Sequence, residues 1–92
     1  MKWEEIPNSL RYAMIAGDAD RRKDAALDQA RECQYRVRHA GMSYYQDVNV
    51  IEERERIAGL VRVAHANHNQ KVASLRRALN SYSSEKSQCN SN

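Results

Sequence analysis

His65 and His68 stand three residues apart, a spacing that puts both imidazoles on one side of a helix, where they could share a transition metal. Such a site takes three or four ligands from His, Cys or carboxylate. The surrounding stretch, A-H-A-N-H-N-Q over Ala64 to Gln70, supplies only asparagines beside them, and no H-E-x-x-H or E-x-x-H motif is present. The plainer reading is a polar residue in a helix–helix seam. His68 falls on the apolar stripe described below, where it would set register and respond to pH. No metal and no other cofactor is expected.

Paired carboxylates suggest acid–base chemistry, and Glu52, Glu53 and Glu55 are close together. Arg54 and Arg56 interleave with them, which makes a solvated face with local ion pairing. Asp18, Asp20, Asp24 and Asp28 lie in the same way beside Arg21, Arg22 and Lys23. Gly17, Gly41 and Gly59 are isolated, so no glycine-rich phosphate loop exists. Cys33 and His39 share one predicted helix at a separation of six and would not face each other, so no nucleophile–base pair forms. The expectation is a protein without catalytic residues, not an enzyme.

Recognition chemistry is better represented. Arg62, Asn69 and Arg76 repeat at intervals of seven on one helical flank, and Arg and Asn are the side chains that read guanine and adenine edges. Nucleic-acid binding through this flank is the alternative function. Against it, basic density is low and no helix-turn-helix or zinc-finger spacing appears. The favoured residues for binding another protein are Arg62, Arg76 and Arg77, whose guanidinium groups keep their charge and suit an acidic surface, with Tyr44 and Tyr45 at a bend.

The elements that would position these residues are helices. Val50, Ile57, Val61, Ala64, Val72, Leu75, Leu79 and Tyr82 recur mostly at three, four or seven, the period of an amphipathic helix. The spacing predicts a long helix over 48–82, continuous through Asn67 and Asn69 although both are poor helix formers. Asp18 as a cap and Gly41 as a stop predict a helix over 18–40. On it Ala19, Ala26, Cys33 and Ala40, with Ala30 and Val37, make a heptad-like seam of small side chains interrupted by Lys23. Pro7 and Gly17 bracket a short helix over 7–16, with Trp3 and Ile6 folded back as packing anchors. Residues 83–92 read as a flexible polar tail on a single domain of 1–82. The fold expected is all-α, either a small helical hairpin or a three-helix arrangement, with the long C-terminal helix antiparallel to its predecessor.

Apolar residues make up 41% of the chain, none is Phe, and many core candidates are Ala, so the core is thin and a homodimer is favoured. Net charge is +3, concentrated after residue 58, where five Lys/Arg face Glu85 alone. Cys33 and Cys89 lack disulfide or metal spacing, no apolar run approaches a membrane span, and M-K-W-E-E is no signal region. These features predict a cytoplasmic protein with no membrane partner. They suit a non-enzymatic protein-binding module that acts by steric occlusion or bridging. One setting for so small and plain a chain is a phage-type accessory protein that inhibits a host factor such as a defence nuclease.

Overall fold

The computed structural model describes the backbone of residues 2–90 and the side chains of residues 2–87. A 3₁₀ turn, Trp3–Glu5, precedes two long helices, α1 (Asn8–Arg38) and α2 (Val50–Asn90), and the described residues contain no strand. The protein is all-helical. The two helices run antiparallel: Ser9 meets Glu85, Asp20 meets Lys71, and Arg36 meets Glu53, so partners move down one helix as they move up the other. The result is a rod of 70 × 23 × 14 Å. Its radius of gyration is 20.2 Å, against about 12 Å for a compact chain of this length.

Two of the three predicted helices are one. α1 passes through Gly17, which was expected to stop a helix over 7–16. Gly17 does not take the positive φ of a helix stop; Gly41, with φ of 88°, does. Ala16 and Ala19 on either side are buried, and Asp18 pairs with Arg21 along the helix rather than capping a new one. Packing thus offsets the roughly 1 kcal/mol by which glycine weakens a helix interior. α2 likewise continues beyond Tyr82 to Asn90, through residues read as a polar tail. Glu85 ties that extension to the start of α1: its carboxylate accepts from the Ser9 backbone N–H at 3.2 Å and from the Ser9 hydroxyl at 2.7 Å. Pro7 supplies no side-chain cap to α1, so a carboxylate from the other helix takes an orphan N–H at the positive end of the helix dipole. Residues 91 and 92 of the predicted tail, and the side chain of Cys89, lie outside the described residues.

Asn49 starts α2, its Oδ1 accepting the Glu52 N–H at 3.2 Å, with Glu52 and Glu53 in the dipole-favoured first turn. The helix is continuous through Ala64 to Gln70. Asn67 turns both ends of its amide to use, donating to the Val63 carbonyl at 2.9 Å and accepting from Arg22 Nε at 3.0 Å.

The core is a seam of small side chains. Among the described residues the buried ones are Ala16, Ala19, Ala26, Ala30, Cys33, Ala64 and Ser74. The α1 members repeat in steps of three, four and seven; Ala19, Ala26, Ala30 and Cys33 lie where the sequence reading places them, and Ala16 extends the seam. Ala40 lies past the end of the helix. Side chains this small let two backbones approach closely. The α2 side differs from expectation. Ala64 is buried, but Val61 (48% exposed), Leu75 (41%), Leu79 (68%) and Tyr82 (57%) face outward. The inward line is instead Ile57, Leu60, Ala64, Asn67, Lys71, Ser74 and Ala78, one residue round from the expected stripe. His68 leaves the seam with that shift and is exposed. Trp3 is 47% exposed with the Arg11 guanidinium 5.8 Å from its ring, so it does not close the core.

Candidate protein-interaction surface

Arg62, Arg76 and Arg77 are all exposed on α2. Arg62 and Arg76 lie fourteen residues apart on one line, about 21 Å along the axis at 1.5 Å per residue. Arg77 is turned about 100° from that line. Arg62 donates from Nε to the Ala58 carbonyl at 3.3 Å, which lays its stem along the helix and leaves the outer guanidinium edge to solvent. Asn69, on the same line, is exposed as well. This outer line borders the exposed apolar residues Val61, Leu75 and Leu79.

The two tyrosines occupy the other end of the rod. Tyr45 packs edge-on against Tyr35 at 5.8 Å, and Tyr35 stacks on His39 at 4.0 Å, whose Nδ1 lies 2.8 Å from the Tyr35 carbonyl. That aromatic group covers the closed end of the helix pair, where Gly41 reverses the chain. Tyr44 is 94% exposed. The sequence treats the pair alike; the structure divides them, one to packing and one to solvent. From Val50 to Arg76 is about 39 Å of helix, so Tyr44 and the α2 arginines do not form one compact site.

The flanks of the seam are polar and cross-linked. Lys71 Nζ bonds Asp20 at 2.9 Å, and Lys23 Nζ stands 3.8 Å from the same carboxylate and 3.5 Å from His68 Nδ1. The hydrogen bond from Lys71 holds the Asp20 carboxyl below its ordinary range, with Lys23 and His68 acting in the same sense and partial desolvation opposing. Nearer the closed end, Glu53 accepts from Arg36 at 3.2 Å and from Arg56 at 3.0 Å. A hydrogen bond from the Cys33 thiol, then the one from Arg36, lowers the Glu53 carboxyl. Cys33 also accepts from Arg36 Nη2 at 3.2 Å. These groups lock the pair together, and the sequence could show them only as charges on separate helices.

His65 and His68 acquire no third ligand. Among the described residues no group of three or more His, Cys, Asp or Glu side chains is placed to hold a metal ion. The surface carries two shallow open depressions. One, of about 360 Å³, is lined by Asn8, Asn80, Ser81, Ser84 and Glu85. The other, of about 400 Å³, is lined by Leu10, Ala13, Met14, Gly17, Asp18 and Arg21. Neither gathers an acid, a base and a nucleophile. No described helix is long and apolar enough to cross a membrane. Compared with known proteins, the chain matches no family model, no curated sequence and no solved structure.

Proposed function

We propose that this chain is a non-enzymatic protein-binding module that works by occupying or bridging surfaces. The observation that carries the reading is the inversion of its side chains: alanine, cysteine and serine fill the seam, while Leu75, Leu79 and Tyr82 face solvent with Arg76 beside them, Arg62 farther along α2 and Arg77 on its other face. Apolar anchors beside arginines are the composition of a protein interface. A straight rod 70 Å long spreads such contacts over more surface than a globule of equal mass, which suits blocking a partner rather than transforming a substrate. The partner class is a protein with an acidic patch, met by the α2 arginines. Inhibition of a larger factor, as a phage-type accessory protein would perform it, is the mode of action that this shape serves. Tyr44 offers a second contact at the closed end.

The test is capture by the tagged chain from the lysate of its own host, with and without nuclease, beside a variant carrying Arg62→Glu, Arg76→Glu and Arg77→Glu. A discrete protein that survives nuclease and is lost by the variant supports the proposal. Capture unchanged in the variant refutes the role of the arginines. Recovery of nucleic acid, or of partners lost on nuclease treatment and in high salt, would replace the reading with nucleic-acid binding through Arg62, Asn69 and Arg76.

A further inference from the structure

We infer that the apolar face at the open end of the rod is covered by a second copy of this chain, so that two helix pairs form an antiparallel four-helix bundle. This deepens the proposed function, on which it rests: two copies joined at one end would present two lines of arginines and bridge rather than merely cover.

Helical phase places the face. Lys23 reaches His68, and Asp20 reaches Lys71, which fixes one flank of α1 and one flank of α2 on the same side of the pair. Carried toward the open end, that side presents Leu10 from α1 and Leu75, Leu79 and Tyr82 from α2, all between 41% and 68% exposed, with Met14 at its rim on the outer edge of α1. On α1 itself Leu10, Ala13, Met14, Gly17, Asp18 and Arg21 line a shallow depression, where a β-carbon added at Gly17 would find only the Arg21 side chain, at 3.9 Å. Leu10 and Met14 beside the small Ala13 and Gly17 are relief against which a facing helix can pack.

Area argues for a copy of the chain. A compact monomer of 10.6 kDa exposes about 5,500 Å². This chain exposes 7122 Å², an excess of about 1,600 Å². A stable pairwise interface needs about 800 Å² from each partner. The excess over the whole rod exceeds the share one partner gives to a standard interface, and burying the apolar face would add large side chains to a core whose buried members, among the described residues, are no larger than Cys33. Charge sets the mode of overlap. Toward the closed end the same side carries Arg31, Arg38 and Arg54, whereas its open end gathers the apolar residues, bordered by Arg76 and Lys86. Two copies overlapping at their open ends, in opposite directions about a two-fold axis, put the apolar surfaces together and Arg31, Arg38 and Arg54 of the two copies far apart.

The experiment is sedimentation equilibrium on the purified chain from low to high micromolar concentration, with circular dichroism on the same samples. The expected mass is twice 10.6 kDa. Leu79→Glu weakens the dimer by about thirtyfold or more, as loss of a central anchor does. Val63→Glu, at a 49% exposed position on the opposite side, leaves the mass unchanged. A wild-type monomer at high micromolar concentration overturns the inference, as does a dimer indifferent to Leu79→Glu. If Leu79→Glu unfolds the chain, Tyr82→Lys and Met14→Lys repeat the test at the rim of the face; dimers that persist in both folded variants overturn it. Partner capture is read separately: a monomer that still captures an acidic protein through its arginines refutes only the dimer, and a dimer that captures none refutes only the occlusion.

Discussion

Gly17→Ala should stabilise the protein, and the sign of its effect decides whether α1 is one helix or two. In the structure Gly17 has helical backbone, and an added β-carbon meets nothing nearer than Arg21 Nη1 at 3.9 Å, an ordinary van der Waals contact. The substitution then gains the helix-propensity difference and the reduced entropy of the unfolded chain, about 0.5–1 kcal/mol. For a domain of this size that raises the melting temperature by about 3–6 °C. Gly59→Ala is the internal standard. It too is helical with open space around its β-position, so it should shift stability by the same sign and similar size. Gly41→Ala is the opposite control, because φ of 88° costs a side chain about 1–2 kcal/mol. The assay is urea unfolding followed at 222 nm, run at several protein concentrations so that any association is separated from folding. A break at Gly17, with positive φ, would give Gly17→Ala the sign of Gly41→Ala. Destabilisation by about 1 kcal/mol or more at every concentration, with Gly59→Ala stabilising, would refute the continuous α1.

Other outcomes follow from the same contacts. Asp20 and Glu53 have folded-state carboxyls held below the ordinary value of about 4, so the stability they contribute is present above that value and lost as pH falls through their folded-state values. A melting-temperature profile should therefore show the deficits of Asp20→Asn and Glu53→Gln at neutral pH shrinking below about pH 4; deficits that stay constant to pH 2 would disprove the ion-pair origin. Ala19→Leu adds three carbons where Ala19 is fully buried, and should cost about 1–3 kcal/mol in urea titrations unless the helices separate freely. Cys33 should react with a thiol reagent only on opening of the helix pair, so its labelling rate in a Cys89→Ser chain should rise with urea in step with unfolding; labelling at the rate of a free thiol without denaturant would contradict its burial.

What the sequence shows and what it hides divide along physical lines. The α1 seam is legible because Ala19, Ala26, Ala30 and Cys33 are small, apolar and in heptad register, and small residues at that spacing have no other use than close packing. Gly17 misleads because a lone glycine carries the same signal as a helix stop and as an ordinary interior position, and only its backbone φ and the packing of Ala16 and Ala19 distinguish them. Residues 83–90 mislead because their composition is that of a tail, while the bond from Ser9 to Glu85 spans 76 positions and leaves no local mark. The exposure of Arg62, Arg76, Arg77 and Tyr44 accords with their polar groups, but their separation along the rod follows from the length of α2, and Tyr45 packs on Tyr35, which composition does not reveal.

The α2 stripe carries the larger lesson. Hydrophobic periodicity finds the most apolar line of a helix and assigns it to the nearest interior. Here that line, through Val61, Leu75 and Leu79, is not the line that meets α1. The partner of an alanine seam holds few large side chains: Ile57 and Leu60 lie inward toward the closed end, and Ala64, Ser74 and Ala78 do so farther along, where Leu75 and Leu79 do not. Asn67 and Lys71 can sit on the inward line because Arg22 and Asp20 across the seam satisfy them. The signal that finds this line is the three–four alternation of small residues, not the hydrophobic average. A helix that carries both lines is built to be packed from two directions. α1 fills one of them in this chain, and Leu75, Leu79 and Tyr82 lie exposed on the other.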